Sequence, residues 1–264
     1  MATVTVNGTE VYYEDAGRGF PLLFLHGLTF DTRMWRSQVA ALSGKYRCVS
    51  IDFRGHGQSA APGGEYTLEV MAEDVYQVMR HLGLEQAHVA GLSMGGMVAM
   101  RLALAHPNVV RSLVLLDTDA GPEEAERARQ YEMLAQVMRE QGPEAVMAGV
   151  LPLFFSQRFI QARPQELQRF REQFLDINGD GVYRATLAVA RRRDITDEIK
   201  SIRVPTLVIV GDEDMATTPE RAEAIHRQIA GSRLEKIAGA GHMTPLEQPE
   251  RVTALIEKFL SQVE

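Results

Sequence analysis

Gly91-Leu92-Ser93-Met94-Gly95 is the stretch of sequence that decides the fold. An apolar run, residues 88–90, leads into it, and a helical pattern of small and apolar residues, 96–104, leads out. Strand, sharp turn and helix with a serine at the apex form the G-x-S-x-G nucleophile elbow. The two glycines have a steric reason, because a Cβ at either position would crowd the strained turn. The pattern predicts that Ser93 is a nucleophile at the start of a helix, whose N–H groups and dipole face its oxygen.

The chain on either side of the elbow alternates between apolar runs and helical patterns. The Asn7-Gly8 pair within residues 4–12 predicts a β-hairpin. Strands are predicted at 21–25, 47–51, 113–116, 205–210 and 234–237, and helices at 34–42, 67–82, 219–229 and 249–263. Strands that alternate with helices through short loops predict an α/β fold with a mostly parallel, doubly wound sheet.

Residues 121–197 interrupt this alternation. They contain no strand-like run, are helical in pattern, and are broken by Gly142-Pro143, Pro152 and Pro164. Because ligands of open α/β sheets bind at the carboxyl edge, we expect an inserted helical cap over that edge, within a single domain spanning 1–264. The apolar stretch 146–155 is expected either to pack as plain core or to form part of the wall of a substrate pocket.

Composition excludes several classes of protein. The 264 residues are 45% hydrophobic and 24% charged, which is typical of a soluble globular protein, and the net charge of −7 argues against a nucleic-acid partner. No run approaches a membrane span, and residues 1–10 lack a leader pattern. The single cysteine, Cys48, lies in a predicted strand and is expected to be a core residue, so a cytoplasmic protein without disulfides is expected.

A serine nucleophile needs a histidine base and an acid that orients the base. Among seven histidines, His242 lies in a Gly-rich loop after the last predicted strand, where a base can reach Ser93 across the sheet edge. His26 and His56 lie in loops at the same edge and are expected to form structural hydrogen bonds, whereas His81, His88, His106 and His226 lie on helices or at a strand start. The acid could be any of three carboxylates at 212–214, or Asp117 or Asp119, and spacing does not decide between them.

Several motifs together resemble the α/β-hydrolase superfamily. They are His26-Gly27, the Asp52-x-Arg54-Gly55-x-Gly57-x-Ser59 stretch, the elbow, Gly211-x-x-Asp214 and Gly241-His242, and they span nearly the whole chain in family order. The resemblance implies that Asp214 is the acid and that Asp117 matches it only in subfamilies with a shifted acid. It also implies that the backbone N–H groups of Leu28 and Met94 form the oxyanion hole, the latter because it follows the nucleophile.

The residue type at the elbow, position 93, discriminates between the reaction classes of this superfamily. Dehalogenases and epoxide hydrolases of this superfamily use aspartate there, and dienelactone hydrolases use cysteine, so Ser93 favours hydrolysis of esters or lactones through an acyl-enzyme. The chain looks most similar to 3-oxoadipate enol-lactonases and small aryl esterases, some of which have perhydrolase activity. The expected partner is a small ester or lactone, with no cofactor, metal or membrane. Amide or carbon–carbon bond hydrolysis, and a slow lactone receptor, stay open as alternatives.

Two further patterns have plain interpretations. Residues 176–181 match the first half of an EF-hand calcium loop, but its twelfth position is Leu187 rather than glutamate, so a turn between helices is expected. Arg191-Arg192-Arg193 is expected to be a solvated helix face, or else to supply one arginine for a substrate carboxylate such as that of an enol-lactone acid.

Overall fold

The structure, a computed structural model, describes residues 1–263. Its strands are β1 (Ala2–Val6), β2 (Thr9–Ala16), β3 (Phe20–Leu25), β4 (Tyr46–Ile51), β5 (Ala87–Leu92), β6 (Val110–Leu116), β7 (Thr206–Gly211) and β8 (Arg233–Ile237). They form one sheet in the order β1-β2-β4-β3-β5-β6-β7-β8, in which β2 runs antiparallel to β1 and β4 and the other neighbours are parallel. The predicted mostly parallel sheet is confirmed. The predicted hairpin is confirmed as well, with Asn7 and Gly8 at φ 46° and 73°.

The helices of the described residues are α1 (Arg36–Leu42), α2 (Leu68–His81), α3 (Met94–Ala105), α4 (Ala125–Gln141), α5 (Glu144–Phe154), α6 (Gln157–Ala162), α7 (Pro164–Leu175), α8 (Gly179–Ala190), α9 (Pro219–Gln228), α10 (Thr244–Glu247) and α11 (Pro249–Leu260). A 3₁₀ turn, Thr32–Trp35, occupies the first part of the helix expected at 34–42. The short helix α10, which begins two residues after His242, was not predicted.

Helices cover both faces of the sheet. Leu23 of β3 and Val89 of β5 pack in one core with Val75 of α2, while the next residues, Phe24 and Ala90, pack in a second core with α1 and α11. Neighbouring strand residues therefore enter opposite cores, as the period of two requires. Because both faces are buried, all six residues of the central strand β5 are buried, and its carboxyl end delivers Ser93 to one edge.

Five inserted helices, α4–α8, connect β6 to β7. The expectation of a strand-free helical segment is confirmed, and it shares a core with the sheet: Met147, Phe155 and Phe174 belong to the same buried cluster as Leu116 and Ile209. Residues 176–181, which match the first half of an EF-hand calcium loop, join α7 to α8. The Asn178 carboxamide accepts a hydrogen bond from Gly181 N at 2.9 Å there and caps α8. The turn expected there is confirmed. Among residues 1–263, no helix combines the length and apolarity needed to cross a bilayer.

Candidate functional site

Ser93 lies between β5 and α3 in a backbone conformation that side chains rarely adopt, with φ 52° and ψ −114°. The two flanking glycines permit it. A Cβ at Gly91 would lie 2.4 Å from Gly95 O, and a Cβ at Gly95 would lie 2.2 Å from Leu25 O. Thr118 Oγ1 donates to Ser93 O at 2.7 Å and holds the turn from the neighbouring strand end. The strand–turn–helix geometry expected of the pentapeptide is therefore present.

His242 and Asp214 are in direct contact at the same edge. The imidazole Nδ1 lies 2.9 Å from Asp214 Oδ2, and both side chains are almost fully buried. Because a carboxylate only accepts hydrogen bonds, this contact places the ring proton on Nδ1 and leaves Nε2 of the neutral ring as an acceptor. Asp214 also accepts from the N–H groups of Ala216 and Thr217, at 2.8 and 2.9 Å, and from the Thr217 hydroxyl at 2.9 Å, so its orientation is constrained.

The other aspartates considered as the acid bond elsewhere. Asp117 accepts from Gly211 N at 2.9 Å and from the Thr244 hydroxyl, and burial together with the nearby charge of Asp214 raises its pKa well above the usual range. Asp212 accepts from Gly239 N at 2.7 Å. Asp119 pairs with Arg192 and Arg221. Within residues 1–263, Asp214 is the carboxylate that contacts the His242 ring.

Of the two expected oxyanion donors, Leu28 lines the same cavity as Ser93, and Met94 follows Ser93 in the chain. Leu28 lies in a tight turn after β3, closed by a hydrogen bond from Phe30 N to Gly27 O at 3.2 Å. Thr29 occupies the next position at φ 69° and donates its hydroxyl to Leu28 O at 2.5 Å. Met94 is the first residue of α3, so its N–H has no acceptor within the helix.

Ser93 and His242 open into one cavity of about 840 Å³, part of it open to solvent. Leu28 and Thr29 line it on the side of the sheet, and residues of α4, α5, α7 and α8 line it on the side of the inserted helices. From the apolar stretch at 146–155, the side chains of Val146, Val150, Leu153 and Phe154 line the cavity. Met147 instead packs in the core with its side chain buried. Part of the stretch is thus cavity wall and part is core.

A model of the alpha/beta hydrolase fold family matches residues 21–249. The chain belongs to this family. It is 31% identical to 3-oxoadipate enol-lactonase 1 of Acinetobacter baylyi, over 99% of this chain and 94% of the relative. Among solved structures, it is similar to a thermophilic esterase from Thermogutta terrifontis (TM-score 0.93, 36% identity, 99% of this chain and 97% of the other). It is also similar to the enol-lactonase from Burkholderia xenovorans LB400 (TM-score 0.93, 32% identity, 98% and 100%).

These relatives identify the chain as a hydrolase and confirm the resemblance to enol-lactonases and esterases. His26 and His56, the other two histidines at this sheet edge, are buried in the α/β hydrolase and form hydrogen bonds with the backbone. His26 Nε2 accepts from Phe53 N at 2.9 Å, and burial lowers the pKa of His26; burial also lowers the pKa of His56, to about 3. Cys48 is buried, and burial raises its thiol pKa to about 12. The described residues contain no cluster of three or more His, Cys, Asp or Glu side chains suited to a metal ion.

Glu247 of the hydrolase was missed by the sequence analysis. One of its carboxylate oxygens accepts from Gly241 N, the residue before His242, at 2.9 Å, and the other accepts from Ser156 Oγ at 2.6 Å. Met243 N, on the other side of His242, donates to Phe154 O at 3.0 Å. The histidine loop is therefore held on both sides by the junction between α5 and α6. The sequence signal was only a glutamate five positions after His242.

The expectation that Arg192 lies on a solvated face is wrong. Its side chain is only 1% exposed and pairs with Asp119 at 2.9 Å and Glu123 at 3.0 Å, because α8 packs against the segment that leaves β6. Its neighbours Arg191 and Arg193 are more than half exposed, so the solvated interpretation is confirmed for them. None of the three arginines lines the cavity of the hydrolase within the described residues.

Proposed function

We propose that this hydrolase cleaves small carboxylic esters or lactones with Ser93, His242 and Asp214 as a catalytic triad. The observation that carries the proposal is the 2.9 Å contact between His242 Nδ1 and Asp214 Oδ2, with His242 and the strained Ser93 opening into the same cavity. The geometry supports a ring that accepts the Ser93 proton at Nε2 while Asp214 stabilises the imidazolium that forms.

In the proposed mechanism, Ser93 Oγ attacks the carbonyl carbon and His242 takes the hydroxyl proton. The N–H groups of Leu28 and Met94 stabilise the tetrahedral oxyanion, since Leu28 lines the same cavity as Ser93 and the Met94 N–H lies at the start of α3. The oxyanion then collapses, and His242 gives its proton to the departing alkoxide. A water molecule activated by His242 hydrolyses the acyl-enzyme and restores the serine. The proposed chemistry uses no cofactor.

The first test is turnover of a panel that contains p-nitrophenyl acetate and butyrate, γ-butyrolactone, 3-oxoadipate enol-lactone and matched amides. Steady multiple turnover of an ester or lactone supports a hydrolase of that class, whereas a single slow turnover supports the receptor alternative. Preferential cleavage of the amides would instead support an amidase.

The second test is Ser93→Ala, which should lower kcat by a factor on the order of 10⁶ because it removes the proposed nucleophile. Ser37→Ala, an exposed serine on α1, is the matched control. Intact-mass analysis during turnover should show the acyl group on Ser93 in the parent and none in the alanine variant. Retention of a tenth of the parent activity by Ser93→Ala would overturn the assignment.

A further inference from the structure

Few charged residues line the active-site cavity. The cavity has 20 lining residues, most of them apolar, and none of these described residues is lysine or arginine. Glu123, which follows β6 and precedes α4, is the only acidic residue among these lining residues, and its side chain is only 3% exposed. A substrate in this cavity therefore meets mostly apolar side chains and no lysine or arginine among the lining residues.

Three arginines behind the wall keep Glu123 ionised. Its Oε2 lies 3.0 Å from Arg192 Nη1, and its Oε1 lies 3.1 Å from Arg221 Nη2 and 3.7 Å from Arg127 Nε. Burial alone would raise the pKa of Glu123, but the charges of Arg192, Arg221 and Arg127 outweigh burial and hold it below its ordinary value.

The same arginines are occupied and do not offer a charge to a substrate. Arg192 donates to Asp119, Glu123 and the carbonyl oxygens of Gly121 and Val189. Arg221 donates to Asp119 and Glu123. Arg127 donates to the Tyr131 hydroxyl and to Ala216 O, at 2.8 and 2.7 Å. With Asp119, Glu123 and Glu124 opposite these three arginines, the network has no unbalanced positive charge.

We propose that Glu123 makes the cavity selective for esters and lactones without a free carboxylate. This inference rests on the proposed ester or lactone hydrolysis. A substrate carboxylate that enters the cavity loses its water without gaining a cation, because Glu123 pairs with Arg192, Arg221 and Arg127 and leaves them no free charge to offer. Glu123 is thus a specificity-determining residue, and the alternative in which an arginine of 191–193 binds a substrate carboxylate is disfavoured.

The test compares two methyl esters of similar length, methyl pentanoate and monomethyl succinate, which differ in the terminal carboxylate. The parent should hydrolyse the neutral ester with a kcat/KM at least about 100-fold higher. Glu123→Gln should reduce this ratio about tenfold or more by raising kcat/KM for the succinate. Glu124→Gln is the matched control, because Glu124 belongs to the same network but is 76% exposed outside the cavity, and it should keep the parent ratio.

A second variant leaves the arginine network intact. Leu134 lies on α4 and lines the cavity, so Leu134→Lys adds the missing cation and should also reduce the ratio about tenfold or more, while Leu134→Met separates the effect of charge from that of shape. Equal kcat/KM of the parent for both esters would overturn the inference, as would an unchanged ratio in both Glu123→Gln and Leu134→Lys.

Binding to Ser93→Ala separates this inference from the proposed function. Calorimetry with the same two esters should give at least about 100-fold weaker binding of the succinate. That preference without turnover by the parent would retain the charge selectivity and overturn the proposed hydrolysis. Turnover of both esters by the parent, together with equal affinity of Ser93→Ala for both, would retain the proposed hydrolysis and overturn the charge selectivity.

Discussion

Asp117 and Asp214 are two buried carboxylates that interact electrostatically but bond to different groups. Asp214 contacts the imidazole of His242, whereas Asp117 contacts Gly211 N and the Thr244 hydroxyl, which belong to the chain segments that carry Asp214 and His242. We infer that Asp214 sets the tautomer of the base and that Asp117 fixes the two loops relative to each other. The two roles predict different effects when the carboxylate is replaced by the amide of asparagine.

Asp214→Asn should therefore lower kcat by roughly 10⁴, because an asparagine amide stabilises the wrong tautomer of the histidine. Asp117→Asn should keep most of the activity, since its amide can still accept from Gly211 N and bond to Thr244. The measurement is kcat for the best ester of the panel. A crippled Asp117→Asn beside an active Asp214→Asn would move the acid to Asp117.

Asp117→Asn also carries a stability prediction. Burial and the charge of Asp214 raise the pKa of Asp117, so the folded state keeps a proton that the unfolded chain releases above about pH 4. The unfolded state then binds fewer protons, and this carboxyl lowers stability as pH rises from about 4 toward its raised pKa. Asp117→Asn has no carboxyl group here and therefore lacks this loss of stability. Its free energy of unfolding, measured by urea titration, should rise relative to that of the parent as the pH increases from 4 to 8. If the free energies of unfolding of parent and variant change in parallel with pH, the raised pKa of Asp117 is contradicted.

At the scale of elements, α5 serves both the cavity and the core. Leu153 lines the cavity and is partly exposed, whereas Met147 is 3% exposed and packs among the buried side chains that the inserted helices share with the sheet. Phe154 does both, because it lines the cavity and its ring lies 5.7 Å from that of Phe30 and 5.9 Å from that of Phe170. Truncation of these three side chains of α5 to alanine should therefore have three different effects.

Leu153→Ala should change the relative kcat/KM for acetate, butyrate and benzoate esters by about 1–3 kcal/mol in activation free energy, with little loss of stability. Met147→Ala should lower the free energy of unfolding by about 2–5 kcal/mol and leave selectivity as in the parent. Phe154→Ala should show both effects. Parent selectivity in all three variants would mean that α5 does not contact the acyl group.

At the scale of the whole molecule, the inserted helices are joined to the sheet by a shared core and by buried ion pairs. Arg192 of this segment pairs with Asp119 and Glu123, which directly follow β6, and Arg221 of α9 pairs with the same two carboxylates. We therefore propose that residues 1–264 unfold as a single domain, with the inserted helices and the sheet melting together.

Arg192→Met should destabilise the protein by on the order of 3 kcal/mol, because it leaves buried carboxylates short of a partner. Arg191→Met, one position away, should change stability by less than about 1 kcal/mol, since Arg191 is 59% exposed and pairs with the partly exposed Glu132. Urea unfolding followed by far-ultraviolet circular dichroism and by fluorescence of the only tryptophan, Trp35, should give coincident transitions. An earlier loss of helix signal would show that the insertion unfolds separately.

The sequence by itself determined the fold, the elbow and the candidate base, because each depends on local chemistry. Gly91 and Gly95 are required by backbone atoms within a few residues of Ser93 or at the end of the adjoining strand, and strand periodicity is read from neighbouring residues. Spacing alone left the acid open, since the carboxyl ends of β6 and β7 bring Asp117 and Asp214 to the same edge; the family resemblance selected Asp214, whose role stays a prediction that the variants above test. Only the tertiary structure decided the contacts of Arg192 with Asp119 and of Ser156 with Glu247, which join residues 73 and 91 positions apart. Such contacts depend on how the inserted helices pack on the sheet, and no local pattern of charge or hydrophobicity specifies them.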